Sequence, residues 1–96
     1  MRRAVCYDIR TVSIPGEVRL GKISKVCVRY GQRVQKSVFE CSITDTLLEE
    51  MKHKLLGIID VAEDSLRIYH MPGPRYRRVE VYGIDNWTDF SGPLTV

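Results

Sequence analysis

The hydrophobic period of this chain changes at Gly31, and that change restricts the folds open to it. Before it, Leu20, Ile23, Val26, Cys27 and Tyr30 recur on one helical face. After it, from about Val34 to Ile43, the period is two. Gln35, Ser37, Phe39 and Cys41 fall on one side of a strand and Lys36, Val38 and Glu40 on the other. Gly31 reads as the helix stop, because glycine enters the left-handed region without steric cost. Neither side of the strand is wholly apolar or wholly polar, the pattern of a strand lying between its own core and a partner chain or ligand. Arg33, Gln35, Lys36 and Ser37 add a dense set of hydrogen-bonding groups.

The rest of the chain fits around that segment. Arg3 to Ile9 alternates as a first strand ending near Asp8, and Arg10 to Gly16 carries the loop signals Thr11, Ser13 and Pro15-Gly16. The first helix is predicted from about Glu17 to Tyr30, with Glu17 at its positive end. After the second strand, Thr44-Asp45-Thr46 supplies capping chemistry, and Thr46 with Glu49 has capping-box spacing. The second helix runs to about Ile59 with Leu48, Met51, Leu55 and Ile58 inward, and Gly57 loosens its last turn. Asp64 to His70 and Arg77 to Tyr82 read as strands around the Met71-Pro72-Gly73-Pro74 turn. The expected class is α+β, with the split β-α-β-β-α-β pattern of a ferredoxin-like sheet and both helices on one face. Residues 1–83 form that domain. Residues 84–96 exceed it: Pro93-Leu94-Thr95-Val96 suits an additional short edge strand, and such an apolar tail either frays or pairs with a sheet edge, as a dimer clasp where that edge belongs to another subunit. The two-sided strand and the tail put Val38, Phe39, Leu94 and Val96 at the expected dimer interface.

Composition narrows the function classes. Ninety-six residues allow one core, and a dimer would add burial to a domain this small. No apolar run approaches membrane-spanning length, and Met-Arg-Arg before a short strand is not a secretory signal, so a cytoplasmic protein is expected. Cys6, Cys27 and Cys41 sit in apolar patterns without metal-ligand spacing and read as buried hydrophobes. His53 and His70 have no partner at catalytic spacing and read as structural.

The net charge of +3 is mild, but the basic residues are grouped. Arg19, Lys22, Lys25 and Arg29 recur about one turn apart on the first helix, with Arg33 beyond, and Arg75, Arg77 and Arg78 crowd the last hairpin. A solvated face explains one such group; two on a small domain point to phosphate. The strands lack the interleaved aromatics of an RNA-recognition motif, so contacts are expected to the nucleic-acid backbone. Asp8 is the sharpest catalytic candidate. A strand-end carboxylate suits Mg²⁺, a hard ion that keeps waters and accepts phosphate oxygens. An aspartate in this place also caps turns, and one carboxylate holds Mg²⁺ poorly unless a two-fold axis brings a second copy.

Val5 to Ile9, the helix closing at Tyr30-Gly31, Gln32 to Cys41 and Asp64 to Tyr69 together resemble the CRISPR-associated protein 2 family, in order and over nearly the whole chain. The resemblance implies a ferredoxin-like homodimer whose C-terminal strand crosses to its partner. It implies a divalent-metal-dependent endonuclease with Asp8 as catalytic metal ligand, using Mg²⁺ with Mn²⁺ as substitute. It places Arg33, Ser37 and Phe39 at the nucleic-acid surface or the site. It also implies partnership with the integrase, CRISPR-associated protein 1, on double-stranded DNA during spacer acquisition. A non-catalytic nucleic-acid scaffold and an RNA-preferring endoribonuclease are the alternatives. The expected nucleic-acid contacts are Arg19, Lys22, Arg33, Ser37, Arg75, Arg77 and Arg78.

Overall fold

A computed structural model describes residues 2–71 and 78–84 of the chain. Over these the order is β1 (Arg2–Asp8), α1 (Ile14–Tyr30), β2 (Gln32–Gln35), β3 (Val38–Ser42), α2 (Asp45–Leu56), β4 (Ser65–Met71) and β5 (Arg78–Gly83). One antiparallel sheet holds all five strands in the order β2-β3-β1-β4-β5. Its first four strands with α1 and α2 form the ferredoxin-like frame, and β5 extends it beyond β4.

Alternation along the strands divides the interior in two. Val5, Tyr7 and Ile9 of the β1 segment, Phe39 and Cys41 of β3, and Leu66 and Ile68 of β4 meet Ile23 and Cys27 of α1 and Leu48, Met51 and Leu55 of α2. The opposite side chains, Ala4, Cys6, Val38, Tyr69 and Met71, make a second cluster without helical members. Both helices therefore lie on one face. The central strand β1 is covered on both sides, and Arg3 through Tyr7 are all buried.

The segment expected as one strand from Val34 to Ile43 is a hairpin. Gln35 pairs with Val38, so Lys36 and Ser37 form the connection, and the register shifts between Arg33 and Gln35. The mixed faces thus arise from a reversal of the chain: every residue of β2 is exposed, whereas Val38, Phe39 and Cys41 of β3 are buried. The reversal also supplies the strand that the split pattern requires.

Three local expectations change. Helix α1 begins at Ile14, not Glu17: Ser13 is the N-cap and accepts the Gly16 amide at 3.3 Å, while Pro15 fits the first turn, where its missing N–H is not needed. Helix α2 is capped by Thr44, whose hydroxyl accepts the Leu47 amide, so Thr46 is not the cap. Gly31 has φ −157°, extended rather than left-handed. Its glycine is demanded by crowding, since a Cβ there would lie 2.5 Å from Cys41 Sγ and from the Glu40 carbonyl oxygen. Residues 84–96 as a crossing tail, with Leu94 and Val96, lie outside the described residues except for Ile84.

Candidate functional site

Strand β1 delivers Asp8 to the sheet's edge. The apolar run before it fixes the strand in the core, and Asp8, where the run ends, is exposed. Its register partner is Ser65 at the start of β4. No hydrogen bond or ion pair ties down its carboxylate among the described residues. Beside it opens a cleft of about 350 Å³, walled by Tyr7, Asp8 and Ile9 of the β1 end, Leu20 and Ser24 of α1, and Arg33, Lys36 and Ser37 of the hairpin.

The cleft's far wall is a bonded lattice. The Tyr7 amide donates to the Ser37 carbonyl at 3.1 Å. The Tyr7 hydroxyl donates to the Lys36 carbonyl at 3.2 Å and lies 3.0 Å from Ser24 Oγ. Arg33 donates to the same Lys36 carbonyl and, at 2.9 Å, to Ser24 Oγ. Its guanidinium carbon sits 4.7 Å from the centre of the Phe39 ring, which in turn stacks on Tyr7 at 6.2 Å. The hairpin turn is therefore clamped to α1 and β1, and two arms of Arg33 are engaged before any ligand arrives. Lys36 and Ser37 also line the cleft.

The expected site residues separate accordingly. Asp8, Arg33 and Ser37 share this cleft. Lys22 is exposed on α1. Arg19, expected at nucleic acid, is committed inward: its Nε donates to Asp64 Oδ2 at 2.8 Å and its Nη2 to Glu63 at 3.2 Å. The acids that compensate it come from the α2–β4 turn, 45 positions away, and helix spacing does not reveal them. Arg78 lies at the opposite end of the sheet, paired in register with His70, which pairs with Arg3. Arg75 and Arg77 lie outside the described residues. Phe39, expected at a dimer interface, is 0% exposed in the helix-side core, so its ring is not available to a partner. Val38 is buried on the opposite face.

Sequence reasoning passed over Tyr7 and Ser24 as site residues, and it marked Lys36 as a hydrogen-bonding group without naming it among the nucleic-acid contacts. Ser24 adjoins the inward Ile23 on α1, and that flank position was the available signal. His70 was expected to lack an acidic partner; β5 brings Glu80, with Nε2 to Oε2 at 2.6 Å. Burial pushes the Cys6 and Cys27 thiols up to about 12 and Cys41 up to about 11, which agrees with a packing role.

For a divalent ion, the donor set offers the Asp8 carboxylate and nearby hydroxyl oxygens. Among the described residues no three His, Cys, Asp or Glu side chains converge. Asp8 could supply one of the one or two carboxylates by which a Mg²⁺-type ion is held beside water and phosphate.

Fold and site define a ferredoxin-like α+β domain with an open, cation-flanked carboxylate at the end of its central strand. The family model described as CRISPR associated protein Cas2 matches residues 1–79, and the chain belongs to that family. It is 45% identical over 92 residues to a CRISPR-associated endoribonuclease Cas2 of Moorella thermoacetica, covering 96% of each chain. It is 43% identical over 90 residues to a CRISPR-associated endonuclease Cas2 of Halalkalibacterium halodurans, covering 94% of each. Among solved structures, Streptococcus pyogenes Cas2 at pH 6.5 superposes with a TM-score of 0.70 at 48% identity, over 74% of this chain and 86% of that one.

Proposed function

We propose that the chain is a metal-dependent phosphodiesterase of the Cas2 family in which Asp8 holds the ion, and that it serves CRISPR adaptation beside the integrase, CRISPR-associated protein 1, on duplex DNA. The observation that carries the enzymatic reading is an exposed Asp8 without an intramolecular partner among the described residues, facing a cleft with Lys36 and Arg33 on its other side. Asp8 lies on the sheet face of Ala4 and Cys6, where neither helix packs. A second copy related by a two-fold axis through that face supplies the second carboxylate. Held by Asp8, a Mg²⁺ ion would supply activation of water and offset charge on the scissile phosphate. Lys36 and the unengaged N–H groups of Arg33 bind the phosphate backbone, and the clamped Ser37 turn keeps them in register with Asp8.

That the described residues bring a single carboxylate to the cleft favours a second reading, a nucleic-acid scaffold without cleavage. One experiment separates the two. Wild-type protein and Asp8→Ala are incubated with duplex DNA and single-stranded RNA in Mg²⁺, Mn²⁺ or EDTA, with a binding assay alongside. Metal-dependent cleavage by wild type alone is the expected result. Equal metal-dependent cleavage by Asp8→Ala removes Asp8 from the chemistry. No cleavage by either, with equal salt-sensitive binding, leaves the scaffold. The substrate cut assigns the protein as a deoxyribonuclease or a ribonuclease.

A further inference from the structure

Among the described residues Asp64 is the one buried carboxylate, at 0% exposure, and the proposed chemistry does not use it. Its oxygens accept four hydrogen bonds. Oδ1 takes the Arg10 amide at 3.1 Å and Arg19 Nη2 at 3.2 Å; Oδ2 takes Arg19 Nε at 2.8 Å and the Asp60 amide at 2.9 Å. The guanidinium thus grips both oxygens in a fork, the geometry that adds direction to charge. The main chain of Asp64 is tied as well: its amide donates to the Asp60 carbonyl at 2.7 Å, and its carbonyl accepts the Ile84 amide at 2.8 Å. Gly83, at φ +79°, passes so close that a Cβ would collide with that carbonyl. Burial alone would raise the Asp64 carboxyl, but the Arg19 guanidinium and the two amides outweigh it and hold it below the ordinary value.

The location gives these bonds a consequence. Arg10 is two residues beyond Asp8, in the loop between β1 and α1, and Ser65, next to Asp64, is the register partner of Asp8. Asp64 therefore holds the loop two residues beyond Asp8 directly, and its chain neighbour Ser65 pairs with Asp8 itself. Replacing a buried ion pair with apolar groups is frequently neutral for stability, so stability alone is a weak reason for charge here. We propose that the Asp64–Arg19 pair is a positioning device for Asp8, fixing the β1–α1 loop so that the Asp8 carboxylate meets the cleft at one place before ligand binds. Its catalytic consequence rests on the reading of Asp8 given above; the fixing of the loop does not.

The test uses full-length Asp64→Asn, Arg19→Gln and Arg19→Lys, each at a temperature where circular dichroism shows it folded. Hydrogen exchange is followed over residues 8–11 and, as reference, over residues 66–70. The expected result for Asp64→Asn and Arg19→Gln is exchange at 8–11 faster by about tenfold or more, with 66–70 unchanged. Cleavage shows kcat lower by about tenfold with KM for nucleic acid unchanged, since small misplacements at a reacting centre cost one to two orders of magnitude. Arg19→Lys, which keeps the charge but loses the fork, falls between. Unchanged exchange at 8–11 in folded Asp64→Asn and Arg19→Gln overturns the proposal, as does a lower melting temperature with wild-type kcat. Should Asp64→Asn fail to fold, the two Arg19 variants decide on the same criteria. If Asp8→Ala cleaves like wild type, the catalytic reading of Asp8 falls, and the exchange measurement still decides whether the pair holds the loop.

Discussion

The two ends of β1 are built on opposite rules. At its start Arg3 is buried with every neighbour engaged: Nη1 donates to the Ile43 carbonyl at 2.6 Å, Nη2 pairs with Asp45, and Nε donates to His70 Nδ1 at 3.3 Å. His70 continues to Glu80, which also takes Lys52 Nζ at 2.7 Å and the Tyr82 hydroxyl at 2.7 Å. At its finish Asp8 stands exposed with no such partner among the described residues. Five positions separate a charge whose bonds are spent on the fold from a charge the fold leaves unspent. A buried ionic group survives only with its hydrogen bonds satisfied, whereas a carboxylate that is to hold an ion needs a lone pair left open to it.

The largest expected effect lies at the Asp8 end and leaves stability alone. Asp8→Ala lowers cleavage by at least about 10²-fold, while its unfolding free energy stays within about 0.5 kcal/mol of wild type, as exposed positions do. Paired cleavage and urea-unfolding measurements check this. A large stability loss in Asp8→Ala would mean that the carboxylate serves the fold, and the contrast between the ends would collapse. Arg3→Ala is the converse. It strands the Ile43 carbonyl and the His70 ring, and the expected cost is about 2–3 kcal/mol in the same denaturation assay. Wild-type stability in that variant would break the comparison from the other side.

A smaller effect appears on acidification. Burial would raise the Glu80 carboxyl, but Lys52, Tyr82 and His70 bonded to it bring it down to about 2 from an ordinary 4.5. The unfolded chain thus takes up a proton near pH 4.5 while the folded chain resists until about 2. Stability from this group is complete above about 4.5 and is lost as pH falls from there toward 2. Asp64, also held low, adds to the loss in the acid range. Lys52→Met removes the principal bond holding Glu80 down. Its deficit against wild type, about 1.5–3 kcal/mol near neutrality, should shrink toward pH 3. Thermal melts from pH 7 to pH 3 measure the gap, and a gap constant with pH would deny Glu80 its role.

How far this was legible in the sequence follows the same division. Strand β1, the inward faces of both helices and β4 were readable, because apolar period reports burial directly. The β2–β3 reversal was not. Lys36 and Ser37 carry no glycine, proline or asparagine to announce a turn, and no non-glycine residue in the described chain takes positive φ. The exposed edge strand before them has no core face to supply a pattern. Asp8 stood out because a charge ended an apolar run. Asp64 did not, since a carboxylate at the start of a strand looks like any turn residue until Arg19 is placed against it. The inward turn of Arg19 was hidden for the same reason: its partners come from the far side of the sequence, and a basic stripe on a helix looks identical whether it meets solvent or a buried acid.

The smallest effect compares the ends by their thiols. Cys41 of β3 pairs in register with Arg3, and Cys6 lies two residues before Asp8, pairing with Val38 and Arg67. Both are buried, and burial raises Cys6 to about 12 and Cys41 to about 11, so neither is an effective nucleophile in the closed fold near neutrality. Modification then proceeds through local opening, and its rate reports how often each end opens. The bonded network at the Arg3 end opposes opening around Cys41, whereas the Asp8 end is closed by the Tyr7 and Arg33 bonds to a hairpin whose edge strand is exposed and by the Asp64 contacts. Cys6 should therefore be labelled before Cys41 by a slow alkylating reagent under native conditions, by a factor of about 3–10, with the modified sites read by peptide mass spectrometry. Asp64→Asn should widen that ratio by loosening the loop after Asp8. Cys41 reacting first would place the softer end of the strand at Arg3, and the satisfied network there would then have to be a brittle structure rather than a rigid one.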